Sequence, residues 1–140
     1  MRAIIVFSSF AVVIASSATA AEVRQFDLQC STRVATRDAG VSNAARAQEI
    51  YRIDLDRRLY CKDQCTNIRQ IADITPAMIV LENEASEPAP PAGVDVSHTI
   101  DRRTLAMHDA QISPGAFSVV SDSRCVMAPY KSIPKTPTNP

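Results

Sequence analysis

The first 20 residues constrain the rest of the chain more than any later motif. Arg2 supplies a positive start, residues 3–14 (AIIVFSSFAVVI) form a short apolar stretch, and Ala18-Thr19-Ala20 is a small-x-small cleavage site. That order is the build of a secretory export signal. The apolar stretch is too short to span a bilayer. Cleavage near Ala20 would deliver a chain starting at Ala21 to the periplasm or the exterior, an oxidising compartment where thiols pair. Four cysteines follow the signal: Cys30, Cys61, Cys65 and Cys125. The expected product is a small, soluble domain held together by disulfides.

Residues 21–128 are long enough for one domain with a real core, with 129–140 (APYKSIPKTPTNP from Ala128 onward) an irregular, proline-rich tail. With no tryptophan, three tyrosines and four phenylalanines, that core must be mainly aliphatic. The 15 basic and 15 acidic side chains of the full chain become 14 and 15 once Arg2 leaves with the signal. This balance offers no electrostatic basis for nucleic acid, which needs a basic surface. No later segment is long and apolar enough to span a membrane.

Period-two alternation runs through most of the chain and predicts strands. Residues 26–30 (FDLQC) place apolar side chains at every second position, and Val34 stays in phase. Residues 51–56 (YRIDLD) alternate cleanly, with Asp54 and Asp56 on the face opposite Tyr51, Ile53 and Leu55 and expected to meet solvent. Residues 59–61, 68–74, 77–81, 94–101, 104–112 and 117–127 supply further candidates. Residues 36–47 (TRDAGVSNAARA) read as a polar connection with room for one helical turn. Asp56-Arg57-Arg58 and Arg102-Arg103 read as turns, as does Ser113-Pro114-Gly115. Residues 83–93 (NEASEPAPPAG) lack bulky apolar groups and predict an extended, solvated loop. Seven to eight short strands at regular spacing point to an all-β fold, a small antiparallel barrel or sandwich. Residues 53–59 and 99–105 echo each other as strand, Asp-Arg-Arg turn, strand.

Four cysteines allow three connectivities. Cys61 and Cys65 flank a tight turn, and Cys30 and Cys125 lie on the first and last strands, which become neighbours if the sheet closes. Cys30–Cys125 and Cys61–Cys65 are therefore the expected structural disulfides, with no metal site and no cofactor. An alternative reading makes Cys61 and Cys65 a copper site, which requires free thiols.

Chemistry-bearing residues are few. His98 and His108 fall on facing strands of one proposed hairpin and are expected to be cross-strand neighbours. With Asp101 or Asp109 they form the acid–base set of an alternative hydrolase reading. No Gly-x-Ser-x-Gly turn presents a nucleophile. The paired arginines Arg57, Arg58, Arg102 and Arg103 are the candidate partner-binding residues, suited to an anionic group.

Residues 26–30 and 51–56, Cys61, Cys65 and Asp101-Arg102-Arg103 resemble small exported proteins of uncharacterised families in Gram-negative bacteria. More distantly, the size, the signal and a cysteine near each end are similar to periplasmic lysozyme inhibitors of the small β-barrel type. Those inhibitors carry a Ser-Gly-x-x-Tyr-like segment that this chain lacks, so the resemblance implies a fold and a compartment and transfers no site. The resulting expectation is a non-catalytic, monomeric module that binds a protein or envelope component.

Overall fold

A computed structural model describes residues 23–135, so the export signal lies outside the described residues. Nine strands form one sheet: β1 (Gln25–Asp38), β2 (Val41–Asp54), β3 (Leu59–Lys62), β4 (Ile68–Gln70), β5 (Asp73–Ile74), β6 (Met78–Glu82), β7 (Asp95–Asp101), β8 (Ala106–Ser113) and β9 (Phe117–Ala128). Their order is β4-β3-β2-β1-β9-β8-β7-β6-β5, antiparallel throughout. No helix occurs among the described residues. The all-β expectation holds, but the strands number nine rather than seven to eight. The sheet is curled into a half-barrel.

The extra strand explains the curl. Residues 68–74 read as one strand but divide at Ile71-Ala72, so that β4 lies on one edge of the sheet and β5 on the other. Two residues can join opposite edges only if the sheet bends until the edges come close at that point. Arg58, from the first Asp-Arg-Arg turn, clasps this crossing, while Arg102, from the second, holds the connection between β5 and β6. Arg58 donates from Nη2 to the Ala72 carbonyl at 3.2 Å, and the Ile71 amide donates to the Arg58 carbonyl at 2.9 Å. Arg102 donates from Nη1 to the Thr75 carbonyl at 2.7 Å. Both hairpins use one four-residue turn, in which Asp54 or Asp101 accepts the amide three residues on and Arg58 or Leu105 follows with positive φ, so the repeated Asp-Arg-Arg triplets occupy positions in it that differ by two.

The β1–β2 hairpin corrects a second expectation. Residues 36–47 form no helical turn. They extend both strands to 14 residues around a two-residue loop, Ala39-Gly40, with φ of 44° and 83°. Positive φ at both positions is the mirror-image turn that matches strand twist, and Gly40 adopts it without steric cost. The outer half of this hairpin is mostly exposed, so it carries no apolar alternation to read. Backbone pairing of residues 34–38 to β9 holds it instead.

Alternation directs Phe26, Leu28, Ile53, Tyr60, Ile79, Ile100 and Met107 to the concave face, where they form the core with Leu81 and the Cys30–Cys125 bridge. Leu28, Ile53, Leu81 and Ile100 are wholly buried. Each such side chain contributes about 1.5–3 kcal/mol through burial. Cys30 and Cys125 are direct cross-strand partners on β1 and β9, as the closing of first strand on last requires. The second expected bridge, Cys61–Cys65, is also present. It lies on the convex face, because Cys61 follows inward-facing Tyr60. There it packs with Leu59, Ile68, Tyr130 and Ile133. Two disulfides, with no free cysteine among the described residues, fit an oxidising extracellular compartment.

Residues 129–135 have no regular secondary structure, yet they cover part of the convex face. Tyr130 donates from its hydroxyl to Asp54 Oδ2 at 3.1 Å, and the Lys131 amide donates to Asp27 Oδ1 at 3.2 Å. Asp54 is therefore not a solvated carboxylate. It is 1% exposed and also accepts from the Arg57 amide (2.9 Å) and Gln25 Nε2 (3.1 Å). Burial alone would push its carboxyl up, but these hydrogen bonds and the Arg57 charge outweigh that and hold it below the usual range.

Candidate functional site

Two polar constellations arise from the register, one on each face of the sheet. On the concave face, the row Ser121–Asp109–His98–Glu82 crosses β9, β8, β7 and β6. The curl brings Tyr51 of β2 and Tyr60 of β3 edge-on to the His98 ring, with centroids 5.5 and 6.3 Å away. His98 Nε2 lies 3.1 Å from Met107 Sδ. Tyr60 donates to Glu82 Oε1 at 2.5 Å, and Arg69 of β4 pairs with the same oxygen at 2.6 Å across the seam. Nearby, Thr32 lies within hydrogen-bond reach of Glu49 (2.7 Å) and Ser123 (2.8 Å), and Lys62 pairs with Glu49.

Burial governs the titration of this layer. It pushes His98 down, against the pull of the Asp109, Glu82 and Glu49 carboxylates. It pushes Asp109 up, against His98 and Lys62. Tyr51 and Tyr60 are raised by burial, Tyr60 further by its bond to Glu82, so both stay neutral. At Glu49 burial pushes upward too, but hydrogen bonds from Lys62 and Thr32 prevail and lower it. His98 is 6% exposed. The arrangement is a neutral imidazole packed between tyrosine rings and flanked by carboxyl groups.

The structure joins His98 to Asp109 as cross-strand partners but does not join the two histidines. His108 pairs with Thr99, one position out of step with His98, and a one-residue offset places it on the opposite face. There its Nδ1 meets Asp122 Oδ1 at 2.8 Å. Asp101 joins neither histidine. It accepts the Arg103 and Thr104 amides at 2.8 Å, which hold its carboxyl low. Cys61 and Cys65 are bonded to each other, which leaves no thiolate pair for copper in this form. Among the described residues no cluster of three or more His, Cys, Asp or Glu side chains is placed to hold a metal ion.

The candidate partner-binding arginines have intramolecular work. Arg57 pairs with Asp54 and reaches the Ile133 carbonyl, Arg58 clasps the crossing at Ala72, and Arg102 binds the Thr75 carbonyl. Arg103 is exposed beside Asp101.

The convex face holds an open groove of about 760 Å³ lined by Arg33, Arg46, Arg124, His108, Asp122 and Asp101 among others. Register creates it. Arg46, Arg33, Asp122, His108 and Thr99 form one row across β2, β1, β9, β8 and β7. Arg124 lies two residues along β9 from Asp122. Strands sit roughly 4.8 Å apart, so the row from Arg46 to His108 spans roughly 14 Å. Arg33 and Arg46 face each other directly, an arrangement that costs stability because like charges repel. Arg33, Arg46 and Arg124 make no ion pair or side-chain hydrogen bond among the described residues. Sequence reading missed these arginines because nothing local distinguishes them; only strand register sets residue 33 beside 46 and 122. No family model, no curated protein and no solved structure matches this chain.

Proposed function

We propose that this protein is an exported, non-catalytic, monomeric binding module of the cell envelope, and that it holds an anionic ligand in the convex groove. The observation that carries this reading is the opposed pair Arg33 and Arg46, with Arg124 close by, lining an open groove without carboxylate partners. Folding gains nothing from that repulsion, whereas an anion between the guanidinium groups would relieve it through charge-assisted hydrogen bonds. The turn arginines are weaker candidates because Arg57, Arg58 and Arg102 already bind carbonyl or carboxylate groups. A hydrolase built on His98 and Asp109 is less favoured, since the imidazole is enclosed by Tyr51, Tyr60 and Met107.

A ¹H–¹⁵N NMR titration of the mature protein with citrate and with pyrophosphate tests this. Shifts should gather on the outward-facing residues of β1, β2, β8 and β9, including Arg33, Arg124 and His108. Shifts confined to the Asp-Arg-Arg turns or to the His98 layer would move the site elsewhere. No shifts at millimolar anion would end the reading.

A further inference from the structure

The ligand class of the groove can be argued further, on the premise that the groove is an anion site. We infer that it accepts a short extended peptide bearing spaced carboxylates, contributed by a partner protein, rather than a dense polyanion such as nucleic acid, polyphosphate or a sulfated glycan.

Three observations favour the peptide. First, the groove is mixed in sign. Asp122 lies in the row between Arg33 and His108, and Asp101 lines the same opening. A chain with a negative charge on every unit would set some of them against these carboxylates. An extended peptide shows every second side chain on one face, about 6.8 Å apart at 3.4 Å per residue. It can place acidic groups at Arg33, Arg46 and Arg124 and neutral or basic groups beside Asp122 and Asp101. Such a pattern of attraction and repulsion sets specificity.

Second, the described lining holds no Phe, Tyr or Trp. Single-stranded nucleic acid is commonly gripped by stacking bases on aromatic rings, and the near-neutral charge of the chain provides no polyanion funnel. Third, the remaining lining suits a peptide. Met78 and Ala106 offer apolar contact, and Ser31 and Thr99 offer hydroxyl partners for amide groups. The volume of about 760 Å³ falls within the range of roughly 300–1,000 Å³ usual for ligand clefts. The guanidinium fork matches the geometry of a carboxylate, which lysine does not reproduce.

The test is fluorescence anisotropy with a labelled octapeptide whose glutamates are interrupted on the same face by lysine and alanine, its glutamine counterpart, medium-chain polyphosphate and heparin. Binding is read on the mature wild-type protein and on Arg33→Ala/Arg46→Ala and Arg33→Lys/Arg46→Lys variants whose Tm is not lowered. The expected result is binding of the glutamate peptide at least tenfold tighter than its glutamine counterpart. That affinity should fall at least tenfold in the alanine variant and several-fold in the lysine variant. Polyphosphate or heparin binding in preference to the peptide, lost in the alanine variant, would keep the anion groove and overturn the peptide assignment. Absence of binding by every probe would overturn both. Sedimentation velocity of the unliganded protein adds a further arm. A dimer abolished by Arg33→Ala/Arg46→Ala would make the occupant a second copy, with its own acidic loop around Glu84 and Glu87, and would also overturn the assignment.

Discussion

Replacing each disulfide in turn by an alanine pair should produce two very different losses of stability. Cys30 and Cys125 are 95 residues apart in sequence, Cys61 and Cys65 only 4. In the chain-entropy account, a crosslink acts by narrowing the unfolded ensemble, by about 2.1 + 1.5R ln n cal/mol/K. The long link then contributes about 4.7 kcal/mol at 25 °C and the short one about 1.9 kcal/mol on that relation. The difference, about 2.8 kcal/mol, depends only on the ratio of loop lengths and is the firmer figure. Small domains have total stabilities of about 5–15 kcal/mol, so loss of the long link approaches the threshold of folding. Both bridges are buried, so cavity terms add to both variants and tend to cancel in the comparison. The assay is equilibrium urea denaturation of the oxidised mature wild type and of Cys30→Ala/Cys125→Ala and Cys61→Ala/Cys65→Ala, comparing midpoints and slopes. Equal losses, or a larger loss for the short loop, would refute the reasoning. It would mean that native packing, not unfolded-state entropy, decides what these bridges contribute.

Leu28→Ala should cost about 2–5 kcal/mol, because it empties a wholly buried site in the core, and a loss under 1 kcal/mol in urea denaturation would contradict the packing described. Asp54→Ala should cost about 2–4 kcal/mol by leaving the Arg57 amide, Gln25 and Tyr130 without their acceptor, whereas Tyr130→Phe, which removes one donor, should cost about 1 kcal/mol. If the two variants are equally mild, the tail does not seal Asp54. His98 makes stability depend on pH with a definite sign. Its folded pKa is lowered, so as pH falls below about 6.5 the unfolded chain binds a proton that the folded one refuses. The contribution is complete above that value and is lost as pH falls towards the folded pKa, at up to about 1.4 kcal/mol per pH unit. Asp109, raised in the fold, acts in the opposite sense: its contribution is present at low pH and is lost as pH rises through its folded value. His98→Gln should therefore flatten the Tm profile measured by calorimetry just below pH 6.5, and an unchanged profile would show that His98 does not titrate as its burial requires.

Much of the fold was legible because its causes are local. Alternation in residues 26–30, 51–55 and 94–101 reflects a half-buried pleat, and each of these segments belongs to a strand that feeds the core. Ser113-Pro114-Gly115 turns the chain between β8 and β9, with the Ala116 amide bonded back to the Ser113 carbonyl. Legibility failed where a strand has no buried face, as in the outer half of the β1–β2 hairpin, where paired backbone rather than side-chain pattern holds the chain extended. It also failed at residues 68–74, where one candidate strand is divided between both edges of the sheet, and at Asp54, whose covering residue lies 76 positions away.

The sequence by itself determined the β class, the aliphatic core and most of the turns, since each follows from side-chain chemistry at short range, and it favoured both disulfides, Cys30–Cys125 only on the condition that first and last strands meet. Only the tertiary structure decided which polar residues share a face. Strand faces alternate every residue, so the register sends His98 inward to Asp109 and His108 outward to Asp122. The same register brings Arg46, Arg33 and Asp122 from three strands into one row. No local pattern records that alignment, because it is fixed by backbone hydrogen bonds between segments tens of residues apart, and the candidate binding groove depends on it.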